Sequence, residues 1–288
     1  MNVWLWLPPN TRECVERMIS ATFFFLFSQL GVGMMLSLLF LSPRRIGNGF
    51  FKFASLTAGI LMGVTLAFDF FFPSQYRVGN GPVILLWISV ALTVVYHRVI
   101  NIDRFGPALA LLIGVCVTGL TAILWDAMTF TRLQQVAGME HWLLAVNQLT
   151  AAALLGSVLL AMVFGHWYLV IPKLSIDHLM NLTKVMMGAI LLRMITVVAT
   201  FALFNLEPDL PFRAILSTLM LSLTQGIFFW PRLLCGIVAP VVLAVMVYRT
   251  VQLHHTQAAT GLLYVAVVAL LFGEFLSKFL LFAVQLPF

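Results

Sequence analysis

Eight apolar runs, each near the length a helix needs to cross a bilayer, constrain this chain more than any other feature. Crossing about 30 Å of hydrocarbon takes about 20 residues at 1.5 Å rise each. Runs at 18–42, 50–73, 82–100, 106–126, 142–169, 180–205, 231–249 and 259–284 meet that test. Of 288 residues, 62% are hydrophobic and 9% charged, where a soluble domain carries about 25% charged residues. Lipid offers the backbone no hydrogen-bond partners, so a spanning chain must be helical or a closed barrel. The expected fold is an all-α polytopic membrane protein with eight transmembrane helices.

The flanks add detail. Asn10 with Glu13 three residues on reads as a capping box, opening a short amphipathic turn (11–17) that runs into the first span. The N-terminus has Trp4 and Trp6 and no basic n-region, so residues 1–17 are expected to stay as an interfacial segment with the tryptophans at headgroup level. Between the sixth and seventh spans, Glu207, Pro208, Asp209 and Pro211 precede a stretch, Arg213 to Phe229, that alternates Ser, Thr and Gln with Leu, Ile and Phe. Residues 206–230 therefore predict an interfacial or half-inserted helix ending at Trp230-Pro231, because Pro favours a helix's first turn. A ninth span is the alternative.

Sixteen Lys/Arg against ten Asp/Glu give a formal charge of +6. The basic residues stand singly or in pairs between apolar runs, which is how loops set membrane orientation and not how a nucleic-acid surface is built. The odd-numbered connections hold Arg44, Arg45, Lys52, Arg98, Arg104, Lys173, Lys184 and Arg249; the even side holds Arg12, Arg17, Arg77, Arg132, Arg213 and Arg232. The odd loops are the shorter and more basic, which predicts both termini outside. Cys14, Cys116 and Cys235 are widely separated and odd in number, so neither a disulfide framework nor a zinc site is indicated.

Two short matches suggest a duplication. Leu41-Ser42-Pro43-Arg44 precedes Val170-Ile171-Pro172-Lys173 by 129 residues, and Val95-Tyr96-His97-Arg98-Val99 precedes Val247-Tyr248-Arg249-Thr250-Val251 by 152. The offsets differ by 23, close to the length of 206–230. A first four-helix half at 18–126 and a second at 142–284 with an insertion would form a 4+4 parallel repeat. Chance similarity between two Val/Leu-rich helices is the competing explanation.

Ionisable residues inside spans cost about 2.5–3.5 kcal/mol each on insertion scales and are functional candidates by default. Arg193 lies 12 residues from the outer end of the sixth span and Glu274 lies 10 from that of the eighth, so their depths differ by about 3 Å and the two can pair. Lys278 follows Glu274 at i+4 on the same face. Asp69 sits near the outer end of the second span and Arg232 opens the seventh, with Gln225 near. These residues either lock helices together as polar glue or line a pocket open to the outer leaflet. A quinone suits such a pocket, with Glu274 as proton acceptor and Arg193, Lys278, Arg232 and Asp69 around the ring.

On the inner side, His97 and His166 are alternative ligands for a b-type haem; headgroup or backbone hydrogen bonding is the plainer role. The fourteen methionines are spread without clustering and read as packing. Gln29, Asn147 and Gln148 read as interhelical hydrogen bonds. Gly31, Gly33, Gly59, Gly63, Gly114 and Gly119 mark expected close approaches. The runs Gly165-His166-Trp167-Tyr168 and Thr256-Gln257-Ala258-Ala259-Thr260-Gly261 stand out without pointing to a chemistry.

The closing helix carries a resemblance. Gly273-Glu274-Phe275-Leu276-Ser277-Lys278-Phe279-Leu280-Leu281-Phe282 resembles the final helix of the anchor subunits of dimethyl-sulfoxide-reductase-type and polysulfide-reductase-type molybdoenzymes. Phe24-Phe25-Leu26-Phe27-Ser28-Gln29-Leu30-Gly31-Val32-Gly33 looks like their first helix. The resemblance implies a quinone-binding bundle of four-helix units, docked to an iron–sulfur subunit and without a redox metal of its own. It carries over to Glu274 and Lys278 alone, with Lys278 where an Arg is usual; the family's quinone-site histidine has no placed equivalent, Asp69 or His97 being the nearest candidates.

The resulting expectation is a subunit of a bacterial inner-membrane respiratory oxidoreductase. It would bind menaquinone or ubiquinone from the outer leaflet and anchor an iron–sulfur or cytochrome partner, without catalysing alone. The rivals are a small-solute or ion carrier with its site at the repeat interface, a haem-b cytochrome using His97 and His166, and a structural assembly subunit. The quinone expectation requires Arg193 and Glu274 to share a hollow reachable from lipid.

Overall fold

The computed structural model describes residues 9–72, 79–102, 105–133, 140–171, 174–206 and 223–284. Within them the elements are α1 (Pro9–Leu38), the short α2 (Pro43–Ile46), α3 (Asn48–Phe71), α4 (Gly81–Val99) with a 3-10 turn at Ile100–Ile102, α5 (Phe105–Leu133), α6 (Glu140–Val170), α7 (Ile176–Leu206), α8 (Leu223–Leu233), a π-helical segment Leu234–Val238, α9 (Ala239–Gln252) and α10 (Thr256–Val284). Eight helical stretches among the described residues are long and apolar enough to cross a membrane, with α8, the π segment and α9 counting as one. Each overlaps one of the eight apolar runs. No strand occurs among the described residues.

The helices close two rings. In the first, α1 packs on α3, α3 on α4, α4 on α5, and α5 back on α1. In the second, α6 packs on α7, α7 on α9, α9 on α10, and α10 back on α6. The rings join through α1 against α6, flanked by α1 with α10 and α5 with α6. Consequently α1 and α6 are the central pair: 83% and 78% of their spanning residues are buried, against 28–50% for the other six. Their sequences fit that position, because both mix apolar residues with small ones on every face, and a helix apolar all round belongs in an interior.

The pair approaches to backbone contact where Gly33 meets Gly156. A Cβ on Gly31 would strike Met62, and one on Gly119 would strike Val32. The expected approaches at Gly59, Gly63 and Gly114 are not tight: nothing lies within 4 Å of a Cβ built on Gly63, and those on Gly59 and Gly114 would sit at ordinary distances of 3.6 and 3.5 Å. Met34, Met35, Met62 and Met186 are core residues, as the dispersed methionines suggested.

Two boundaries differ from the sequence expectation. Helix α1 begins at Pro9, one residue before Asn10, and continues unbroken into the first span; Pro suits a first helical position because its missing N–H has no partner there. The larger difference is at Trp230-Pro231, which does not end a helix. α8 continues through Pro231, and the wider π turn follows three residues later. A proline removes one rung of the ladder and pushes on the preceding turn, and a π segment absorbs such a disturbance without breaking the rod. Residues 223–230 thus belong to the seventh apolar rod, while the stretch 207–222 lies outside the described residues.

Candidate functional site

Four of the five ionisable residues expected in the outer half of the spans do meet, inside the second ring. Glu274 of α10 is the hub. The Arg193 guanidinium of α7 approaches its carboxylate through two nitrogens, Nε donating to Oε1 and Nη2 to Oε2, both at 3.3 Å. Lys278, one turn along α10, donates from Nζ to Oε2 at 3.2 Å. Arg232 of α8 reaches Oε1 through Nη2 at 3.5 Å. All four residues are buried, from Glu274 at 0% exposed to Arg232 at 3%.

A polar stripe supports Arg193 from behind. Its Nη1 donates to the carbonyl oxygen and to Oδ1 of Asn147 on α6, each at 2.8 Å, and lies 3.5 Å from the Thr150 hydroxyl. Asn147 in turn donates from Nδ2 to Thr200 at 2.7 Å, and Thr150 and Thr196 hydroxyls meet at 3.2 Å. Arg193, Thr196 and Thr200 share a face of α7 by their 3 and 4 spacing, as do Asn147 and Thr150 on α6. That spacing was a readable signal: two short polar stripes on neighbouring apolar helices. Gln29 also binds across helices, donating to Oε1 of Gln148 at 2.7 Å.

Backbone geometry brings Arg232 in. The π segment crosses α10 at Gly236 and Gly273, which touch backbone to backbone, and the Arg232 guanidinium fills the space over Gly236 that a side chain would occupy. Neither glycine stood out in the sequence, because their proximity depends on the π turn.

Three cations around one carboxylate leave an excess of two positive charges. Nε and Nη1 of Arg232 are buried and have no hydrogen-bond partner among the described residues. A buried ion is stable only when paired and hydrogen-bonded, so this arrangement has donors and charge to spare and is short of acceptors. It can hold an electron-rich oxygen or an anion. Glu274, with both carboxylate oxygens taken by cations, serves as their counter-ion.

The expected hollow beside Arg193 and Glu274 is closed: the two side chains are paired and sealed at 1% and 0% exposure. Asp69 does not join the three ion pairs; it is half-buried on α3, in the other ring. The side chain of Gln225 lies outside the described residues. A buried carboxylate that sequence reasoning passed over is Asp126 on α5, 6% exposed. Cys116 and Cys235 are free thiols.

The two candidate haem ligands fall in different rings. His97 of α4 pairs through Nδ1 with the Ser55 hydroxyl at 3.0 Å, and His166 of α6 through Nδ1 with the Tyr264 hydroxyl at 3.4 Å. No group of three or more His, Cys, Asp or Glu able to hold a metal occurs among the described residues.

Next to the cluster's helix runs an apolar cavity of about 530 Å³, lined by α1, α3, α6 and α10 where the rings join. Leu26, Leu30, Leu61, Leu159, Leu271 and Phe275 shape it, and the adjoining Val268 and Phe272 are exposed on the bundle surface. Phe275 follows Glu274 directly in the chain. No protein-family model, curated protein or solved structure matches this chain.

Proposed function

We propose that this chain is the membrane-integral subunit of a respiratory oxidoreductase complex, binding quinone or quinol at the Arg193–Arg232–Glu274–Lys278 cluster and anchoring a redox partner that carries the iron–sulfur or cytochrome cofactors. The observation that carries the reading is the pair of unpartnered donors on Arg232, set in a buried cluster with two positive charges in excess. A quinone carbonyl accepts hydrogen bonds, and its oxygen grows more negative on reduction, so surplus donors and charge favour the reduced forms. Menaquinone and ubiquinone both have an isoprenoid tail, which the apolar cavity along α10 fits in chemistry. Because Arg193 and Glu274 are sealed together, this reading does not rest on an open hollow beside them: it requires the cluster to open toward the cavity along α10, with Arg232 as the donor to the ring oxygen. Glu274 holds the cations together and accepts a proton only when one of them turns to the ligand.

The two closed rings support a 4+4 parallel arrangement; placing both termini outside rests on the basic odd loops, and a bacterial inner membrane is part of the respiratory-subunit reading. Each ring is an up-and-down set of four, and their junction pairs equivalent helices: first with first, and the first of each with the last of the other. A carrier reading places its site between such repeats. Here all four charged side chains belong to α7, α8 and α10, inside one ring, which favours the quinone reading over the carrier.

Solvent extraction of the purified protein tests the proposal. Isoprenoid quinone should be recovered in stoichiometric amount with the wild type and lost with Arg232→Gln, and an iron–sulfur or cytochrome protein should co-purify. Absence of quinone, together with uptake of a labelled solute into vesicles, would replace this reading with the carrier.

A further inference from the structure

A second pocket lies in the first ring, at the end carrying the odd-numbered loops. It encloses about 410 Å³ between the end of α1, α2, the start of α3, the end of α4 and the start of α5, within the usual range of ligand sites, about 300–1,000 Å³. Its body is apolar, with Leu38, Leu39, Phe51, Leu109 and Leu112. Its polar lining residues are Ser42, Arg44 and Tyr96.

Two of those groups can donate to a ligand there: Tyr96, a buried residue of the pocket wall, and Arg44, which is exposed. Arg44 lies with its guanidinium carbon 5.3 Å from the centroid of the Phe105 ring. Stacking of this kind orients the plane while leaving its N–H groups free. The Arg44 guanidinium forms no ion pair among the described residues.

We infer that this pocket is a binding site for an anionic phospholipid. The phosphate would accept from Arg44 and the Tyr96 hydroxyl, and an acyl chain would lie along Leu38, Leu39, Leu109 and Leu112 and leave over the exposed face of α5. Charge favours an anion: Arg44, Arg45, Lys52, Arg98, Lys184 and Arg249 at this end stand against Asp177 among the described residues. Basic pockets between spanning helices on the cytoplasmic side recognise lipid headgroups through that combination of fixed donors and surrounding positive potential. The site shares no residue with the Arg232 cluster and does not depend on the quinone proposal.

Native mass spectrometry and thermal unfolding of the full chain test it, with the protein in vesicle-derived nanodiscs of phosphatidylcholine alone or with phosphatidylglycerol. Phosphatidylglycerol should remain bound through detergent exchange and raise Tm, where phosphatidylcholine does neither. Both effects should be lost in Arg44→Gln/Tyr96→Phe, whose changes remove donors and keep the packing, and retention should weaken in high salt. Equal retention of the two lipids, or undiminished retention in the double variant, overturns the inference. So does loss of quinone instead of lipid in that variant, while loss of quinone in Arg232→Gln alone bears only on the other site.

Discussion

Gly33 of α1 and Gly156 of α6 meet backbone to backbone, so closely that a Cβ on either would sit inside the other helix. This contact joins the two rings at their most buried helices. It lies one to two turns from the Gln29–Gln148 hydrogen bond on the same pair. Close backbone approach lets van der Waals packing and polar side chains hold helices where burial from water no longer drives them together.

Gly33→Val or Gly156→Val should therefore disrupt the junction, at or beyond the upper end of the about 1–3 kcal/mol usual for overpacking. Gly63→Val is the matched control, because open space surrounds that position. Thermal unfolding in detergent should show a large fall for the first two and almost none for the third. Similar falls in all three would mean that the crossing is not where the structure places it.

The charged cluster predicts an asymmetry. Glu274→Gln leaves three buried cations without their anion, and breaking a buried pair from one side costs about 3–5 kcal/mol. Lys278→Met removes one of three cations from a cluster that has two to spare. It keeps the side chain's bulk, so its cost should stay within about 1.5 kcal/mol. Should unfolding measurements put the lysine change level with the glutamate change, the excess of positive charge is being neutralised by something else in the protein.

Asn147 gives an independent reading of the same excess. Asn147→Leu takes away one of the acceptors of Arg193 Nη1, and hydrogen bonds to charged groups are worth about 1.5–3 kcal/mol. Asn147→Asp keeps the acceptor and adds a negative charge beside Arg193, at the cost of the amide's bonds to Leu143 O and Thr200; the Thr200 hydroxyl can donate to the new oxygen only by leaving Thr196 O. Both variants lose the amide's donations, so the comparison between them is the informative one: the aspartate variant should unfold less easily than the leucine variant. An aspartate variant weaker than leucine would exclude a cationic surplus at this point.

How much of this was readable in the chain follows from what each feature depends on. The eight rods rest on length and apolarity, which are local, and so were legible with small boundary errors. The meeting of Arg193, Glu274 and Lys278 was legible because depth along a helix is simple arithmetic. Which side chains close around them was legible only in part: the spacing of Asn147 and Thr150, and of Arg193, Thr196 and Thr200, marks two polar stripes, but pairing the stripes requires α6 and α7 to be neighbours. Asp69 was expected only in the same outer half of the bilayer, nearer the end of its span, and that says nothing about which ring its helix joins. The helix through Pro231 was hidden for a different reason: proline ordinarily marks a start or a stop, and the π turn that lets the rod continue leaves no composition signature. Among the glycines, Gly31, Gly33 and Gly119 were read rightly and Gly59 and Gly63 misled, since their spacing of four is a pattern, whereas contact requires a facing helix.

Gly236 ties the backbone to the chemistry. A methyl group there would sit in the space held by Nη1 of Arg232 and 3.0 Å from its Cζ, so Gly236→Ala should push the guanidinium away from Glu274. The direct cost should be modest, because a flexible side chain can yield where a backbone cannot. The informative quantity is the coupling between this change and Arg232→Gln. If the glycine exists to seat the arginine, the two changes act on one interaction and the double variant should unfold like the single Arg232→Gln, giving an interaction energy in the range of about 0.5–3 kcal/mol expected of touching residues. Strict additivity of the two would show that Arg232 does not occupy the notch.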